Sequence, residues 1–420
     1  MSATRAKPSP SPDPWVSLRD ALMAAYLELY TPVRKGFRPR RPDELAEWRQ
    51  SERAAWPFTP AQWRQAGREV LALHAAYTGG GANFTHENNP IHGYQAGYQV
   101  YFLPRNVYRI HSMLEDLPLD PVGTWQPWGG GGGPFRILDL GCGTGAFTIA
   151  VLAWLQRSGA LAVLPPVEVT LVDQSRDLLR LAGANVQHVT ARLMPGARIS
   201  VVSKAEGVEQ FLGGDREGSY HIAGAGFMLN ELKLLTSQRT EKRAVRFVEP
   251  FRRRVAPGGL MLFAEPGTRK GYMNLMMVRE QLREAAMLYP CPHTKECPMW
   301  TAKVGRWCHA TVTLPSQFCF DEQLKRHGGV AFAMHELNLA GLAIQNAPRP
   351  QAPFRARRGA RVVSAPIPQK VRQGQQPGKP KERIAKVLVC QADGRLRETP
   401  AEQVGNVPRG GWLAAGRSRK

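Results

Sequence analysis

The chain has 420 residues, 43% of them hydrophobic and 21% charged, so it can bury a sizeable core and is not an intrinsically disordered chain as a whole. No apolar run reaches the length needed to cross a bilayer, which argues against a helical membrane protein. Lys and Arg number 56 against 34 Asp and Glu, and the net charge of +22 favours a polyanionic partner, nucleic acid before membrane.

Residues 1–14 are rich in Pro and Ser and are expected to be disordered. Their start, MSATRAKPSPSPDPW, has no apolar h-region. A bacterial cytoplasmic location is therefore expected, with the mitochondrial matrix as the alternative. Residues 15–127 read as a helical N-terminal domain: Val16–Tyr30, Pro42–Arg53, Thr59–Tyr77 and Tyr94–Leu117 each place apolar residues three and four apart. Thr59 before Pro60 fits a helix cap with proline at the first helical position. The glycine-rich run 128–134 is a linker.

Over 135–288 the pattern alternates between strand and helix. Strands are expected at Phe135–Leu140, Val167–Val172, Ile199–Val202, His221–Met228 and Gly259–Phe263. Such alternation predicts an α/β fold, a Rossmann-like parallel sheet covered on both faces. A cysteine-rich region, 289–346, follows, with a further strand pair expected in Phe332–Ile344. Residues 347–380 read as an exposed basic Pro-rich linker, and 381–420 as a C-terminal segment with one last strand, Ile384–Cys390. The last 72 residues hold 17 Lys and Arg against 4 Asp and Glu, a charge imbalance typical of an interaction segment.

The run Ile137-Leu138-Asp139-Leu140-Gly141-Cys142-Gly143-Thr144-Gly145 follows a strand and opens a helix. Glycines at 141, 143 and 145 allow a tight turn and close approach of a ligand. The helix N-terminus offers free N–H groups to a carboxylate. Asp173, at the end of the second strand, can accept both ribose hydroxyls of an adenosine. Asp139 can meet a ligand's ammonium. Gly141, Gly143 and Ala146 also fit the dinucleotide pattern, but an acid at 139 would repel a pyrophosphate. S-adenosylmethionine is the expected ligand, and the run is similar to motif I of class I methyltransferases. A turn that keeps its glycines without any ligand is the plain alternative. After the fourth strand, Phe227-Met228-Leu229-Asn230-Glu231-Leu232 contains no (Asp/Asn)-Pro-Pro-(Tyr/Phe) motif of amino-methylating enzymes. No catalytic residue is evident; Glu231 and Glu265 are candidates to line the pocket.

Of six cysteines, three lie at Cys291, Cys297 and Cys308 in a C-x5-C-x10-C array with prolines after the first two. Such a loop suits an iron–sulfur cluster, which generally takes four thiolates, the fourth often distant in sequence. Zinc is the rival, though C-x5-C is wide for a zinc knuckle. Cys390, at the end of Val387-Leu388-Val389-Cys390, is a possible fourth ligand, and Cys319 reads as a core thiol.

The run Glu265-Pro266-Gly267-Thr268, Gly271-Tyr272, Arg279, Pro290-Cys291-Pro292-His293, Cys297-Pro298-Met299 and Trp307-Cys308-His309 resembles the methyltransferase-like family of the mitochondrial small ribosomal subunit and its bacterial relatives. Val389-Cys390-Gln391-Ala392-Asp393-Gly394-Arg395-Leu396 looks like that family's C-terminal cysteine-glycine motif. The resemblance implies a class I methyltransferase fold with a cysteine-rich C-terminal extension. It also implies action on the small ribosomal subunit or its rRNA during assembly, and a [4Fe-4S] cluster on Cys291, Cys297, Cys308 and Cys390. The first functional expectation is thus an rRNA-binding assembly factor. An active rRNA methyltransferase is the second, and a small-molecule methyltransferase with structural zinc the third. The sequence leaves the oligomeric state open.

Overall fold

The computed structural model describes residues 13–30, 58–78, 93–125, 133–214, 220–232, 240–301, 307–331, 335–347, 359–363, 386–393, 395–404, 406–407, 409 and 412–414. The helix expected at Pro42–Arg53 and the segments 1–12, 128–132 and 364–385 lie outside them.

The chain opens with α1 (Pro14–Tyr30) and α2 (Pro60–Thr78). A reciprocal cap starts α2: the Gln62 N–H donates to Thr59 Oγ1, and the Thr59 N–H donates to Gln62 Oε1 at 2.8 Å. A π-helical turn, Tyr98–Phe102, runs directly into α3 (Leu103–Glu115). Strands β1 (Phe135–Leu140), β2 (Val167–Asp173), β3 (Ile199–Ala205), β4 (Tyr220–Gly226) and β5 (Val255–Pro266) then alternate with α4 (Ala146–Arg157), α5 (Arg176–Leu193) and α6 (Thr240–Arg254). After β5 come α7 (Arg269–Gln281), β6 (Ala286–Tyr289), β7 (Ala310–Thr313), α8 (Asp321–Gly328) and β8 (Glu336–Gln345).

The main sheet has the order β3-β2-β1-β4-β5-β8-β6, with β7 also on β8. The first five strands are mutually parallel, and β8 is antiparallel to β5, β6 and β7. One long strand therefore stands where a strand pair was expected, and the two short strands β6 and β7 take the pairing positions. Central strands are apolar on both faces, as a sheet covered on both sides requires. Phe135 and Ile137 of β1 face a core shared with α1, α3, α4 and α5, whereas Leu138 and Leu140 face a core shared with α6 and α7. The first of these cores joins Leu18 and Leu22 of α1 and Val107 and Ile110 of α3 to the sheet.

A second, four-stranded sheet has the order β11-β10-β9-β12, built from β9 (Gly359–Val362), β10 (Lys386–Cys390), β11 (Leu396–Pro400) and β12 (Trp412–Ala414). The stretch 347–380 thus differs from the exposed linker expected: its residues 359–362 form a strand, with Arg361 and Val362 each 2% exposed. Alternation along β10 sends Val387 and Val389 into this sheet's own small core and Leu388 and Cys390 towards the main one.

Candidate functional sites at the glycine loop and the cysteine cavity

The glycine loop joins β1 to α4. Gly141, Gly143 and Gly145 all hold positive φ, at 61°, 51° and 87°, where a side chain is strained. A Cβ on Gly141 would also run into the Met228 side chain, whereas the space beside Gly143 is open. Asp173, at the C-terminal end of β2, accepts from the Gly143 N–H and the Ser175 N–H, both at 2.9 Å. The predicted loop and acid therefore come together.

Asp139 is 1% exposed and turns one oxygen to Thr148, accepting from its hydroxyl at 2.8 Å and its N–H at 3.2 Å. Its other oxygen is buried with no hydrogen-bond partner. Burial raises its pKa to about 7 against the two Thr148 bonds. Glu265, fully buried, accepts from the Leu229 N–H at 2.9 Å and Asn230 Nδ2 at 2.5 Å, and burial raises its pKa to about 8. Glu231 meets solvent within the cleft, but the protein mass around it, and secondarily the Asp173 carboxylate, raise its pKa to about 7.

The helical segment before β1 is tied to the glycine loop. Gln99 donates to Asn185 Oδ1 at 2.8 Å, and Asn185 donates to the Thr144 carbonyl at 3.0 Å, which ties the π-helical turn to the glycine loop. Asn106 donates to Tyr98 Oη at 3.1 Å and accepts from Arg109 at 2.8 Å. The Arg109 guanidinium lies 5.9 Å from the centre of the Phe227 ring. Phe227 follows β4 and is the one non-glycine with positive φ among the described residues, at 63°. Sequence reasoning missed Tyr98, Asn106 and Arg109. Their spacing of eight and three residues fits one helical face, which reads equally well as a solvated face.

The raised acids give a pH test. The folded state binds more protons than the unfolded wherever a folded pKa lies above its ordinary value, so these three groups stabilise the fold at low pH and lose that effect as pH rises through 7–8. Buried His111 and His309 and half-buried His221, each lowered to about 4 chiefly by desolvation, act the opposite way between about 4 and 6.5. The clean window therefore lies above pH 6.5. Melting temperature is expected to fall from pH 6.5 to 8, and Glu265→Gln, which keeps the Leu229 bond, to flatten that fall. A melting temperature constant across this window in the wild type would contradict the assignment.

The second site is a cavity between the two sheets. Cys291, Cys297, Cys308 and Cys390 all line it, together with Tyr272, Tyr289, His309, Arg361 and residues of β8. Cys291 and Cys297 share the loop after β6, Cys308 precedes β7 and Cys390 ends β10, so the four thiols arrive from three chain segments. Tyr272 Oη lies 3.6 Å from Cys297 Sγ, and His293 Nε2 lies 3.2 Å from Cys390 Sγ. Buried Arg279, on α7, hydrogen-bonds Cys291, and its Nε is buried with no partner. Arg361, from β9, pairs with Asp116 at 3.1 Å and stacks over Tyr289.

Burial holds the thiols of Cys291, Cys308 and Cys390 up, Cys308 at about 12; the neighbouring thiols push Cys308 and Cys390 higher, whereas the Arg279 charge draws Cys291 back down. Without a bound cation these groups stay neutral thiols. Among the described residues, no three of the four sulfurs lie within 4.8 Å of one another. Thiolates on one zinc at ordinary Zn–S lengths would sit about 3.8 Å apart. The sulfurs are spaced more widely than the ligands of one tetrahedral ion, and His293 and His309 lie beside them. A separate group, Cys319, Asp321 and His335, does meet that limit, but Asp321 is already held bidentately by Arg105 at 2.6 and 2.8 Å.

The strand order, with an antiparallel β8 inserted beside β5, and a glycine loop after β1 define a class I methyltransferase fold. The chain belongs to the family described as mitochondrial small ribosomal subunit Rsm22, whose profile matches residues 127–400. Among solved structures, a Listeria monocytogenes protein described as a class I S-adenosylmethionine-dependent methyltransferase shares 13% identity over 80% of this chain and 88% of its own, with a TM-score of 0.34. An arsenic(III) S-adenosylmethionine methyltransferase of Chlamydomonas reinhardtii shares 15% over 60% and 79%, with a TM-score of 0.27. A methyltransferase of Methanosarcina mazei shares 16% over 50% and 92%, with a TM-score of 0.28. No curated protein matches by sequence.

Proposed function

We propose that the chain is an assembly factor of the small ribosomal subunit that binds rRNA, holds S-adenosylmethionine on the glycine loop and carries a [4Fe-4S] cluster on Cys291, Cys297, Cys308 and Cys390. The observation that carries this reading is the meeting of four cysteines around one buried cavity in a chain of the Rsm22 family. Four thiolates suit a cluster, and the buried cations Arg279 and Arg361 offset the negative charge such a group brings. When bound, the cluster supplies a covalent tie between the cysteine loop and β10. Asp173 and the loop N–H groups supply acceptors and donors for an adenosine and an amino-acid end. At the end of β4 no proline-rich amino-methylation motif is present, so the reading stops at cofactor binding and assigns no catalytic group. The family description is mitochondrial, in line with the second of the two compartments expected. No helix of the described residues is long and apolar enough to cross a membrane.

Anaerobic protein is expected to contain about four irons per chain with acid-labile sulfide, and to bind S-adenosylmethionine by calorimetry. One zinc per chain without iron would replace the cluster with a zinc site. Binding to small-subunit RNA should fall steeply with salt, because phosphate contacts release counterions. Replacing Lys370, Arg372, Lys379, Lys381 and Arg383 by Gln leaves β9 and β10 intact. It should make the slope of log K against log salt shallower by about 3.5 if all five contact phosphates, at ~0.7 for each phosphate no longer neutralised. An unchanged slope would move the RNA surface elsewhere on the protein.

A further inference from the structure

Acids and one cation gather around the glycine loop. Asp173 braces the loop with Glu231 nearby, and Asp139, with one unpartnered oxygen, lies where β1 runs into the same loop. Arg109 lies over Phe227 at the end of β4, and Tyr98 feels both this cation and Glu231. This cation has no carboxylate partner among the described residues. Its one hydrogen bond goes to the neutral amide oxygen of Asn106, and its Nε is buried without a partner. Burial, and then the nearby Arg105 charge, lower its pKa to about 10. Arg105 itself is taken by Asp321, so that acid is not available to Arg109. A half-buried guanidinium whose Nε is out of solvent and unpaired is poised to take an anion.

The position of Arg109 says what that anion belongs to. Gly226, the last residue of β4, abuts both Ile110 of α3 and Phe147 of α4, so Arg109 sits where α3 crosses the end of β4 beside the start of α4. The tie from Gln99 through Asn185 to the Thr144 carbonyl holds the same helical segment to the glycine loop. Asp173, the proposed ribose acid, braces the same loop from the end of β2. A π-helical turn immediately precedes α3, and Phe227 holds a positive φ of 63°.

We propose that Arg109 is the counter-ion of an α-carboxylate, the acid of the amino-acid end of the bound nucleoside, with Asn106 holding the guanidinium in place. This rests on the cofactor reading above and adds to it the residue that distinguishes the whole cofactor from its decarboxylated form. Asp173 reads the ribose and Arg109 reads the carboxylate.

The test compares binding of S-adenosylmethionine and decarboxylated S-adenosylmethionine to the full chain by calorimetry. The wild type is expected to prefer the carboxylated ligand by on the order of 10- to 100-fold, the range for a lost charged hydrogen-bond pair. Arg109→Gln should erase that preference by weakening the carboxylated ligand alone, and Arg109→Lys should restore part of it. Equal loss of both ligands in Arg109→Gln would make the residue structural and overturn the proposal. Unchanged binding of both would overturn it too. If that variant instead bound small-subunit RNA more weakly, the anion would be an RNA phosphate. A wild type that binds the two ligands equally would sink this proposal alone, whereas a wild type that binds neither would sink the cofactor reading with it.

Discussion

Cys390→Ser is expected to behave like Cys291→Ser: both lose the brown colour of anaerobic protein, with its broad thiolate-to-iron absorbance around 400 nm, and both lose stability. The coupling follows from the chain path. Cys291 and Cys308 flank 16 residues next to the main sheet, while Cys390 ends a strand of the second sheet, with 81 residues between it and Cys308. Binding energy released at four converging ligands is available only to the assembled site, so losing one ligand forfeits folding energy as well as the group. With no group bound, the cavity is left with thiols that burial keeps neutral, beside two buried arginines that Glu280 and Asp116 pair. Cys319→Ser is the control. Cys319 lies in the core on the other side of the sheet and donates to the Ser316 carbonyl, so the colour should be retained. Metal analysis and thermal melts of the three variants decide this. A Cys390→Ser protein with a full complement of iron would misassign the fourth ligand and turn attention to His293, which already lies beside Cys390.

Much of this architecture was legible in the sequence because the relevant residues obey short-range rules. The strands β1, β2 and β4 are apolar on both faces and long enough to read alone, and three glycines in five residues announce a backbone of positive φ. The alternation of β10 was enough to set Cys390 apart from Val387 and Val389. The short strands β6, β7, β9 and β12 were not legible. With three or four residues each, they are strands only because β8, or a neighbour in the second sheet, supplies their hydrogen bonds. Arg361 was hidden for the same reason. It sits in a Pro- and Arg-rich stretch whose composition describes a solvated linker, yet pairing of β9 places it 2% exposed beside Asp116 and Tyr289. Arg109 poses a different problem. Its significance lies in the absence of a nearby acid, and a sequence shows which charges exist but not which of them meet.

Asp173→Ala is expected to weaken S-adenosylmethionine by about 1.5–3 kcal/mol, roughly 10- to 150-fold, the range for a hydrogen-bond partner that carries charge. In the structure its two oxygens accept from Gly143 and Ser175, so the carboxylate both faces the ligand side of the loop and braces it. The variant therefore needs a companion that separates the two roles. Asp173→Asn keeps one acceptor oxygen for the loop but loses the negative charge that attracts two ribose hydroxyls. It should retain most of the melting temperature while still losing much of the affinity. The ligand comparison used for Arg109 gives the second separation. An acid that reads ribose is indifferent to the far end of the ligand, so Asp173→Asn should weaken the whole cofactor and its decarboxylated form by the same factor. Arg109→Gln should weaken only the first. If Asp173→Asn instead weakened only the carboxylated ligand, the orientation assumed for the nucleoside, ribose towards β2 and amino acid towards β4, would be reversed. If both Asp173 variants bound as tightly as wild type, the acid would serve the loop alone and the adenosine would have to be held by other residues of the cleft.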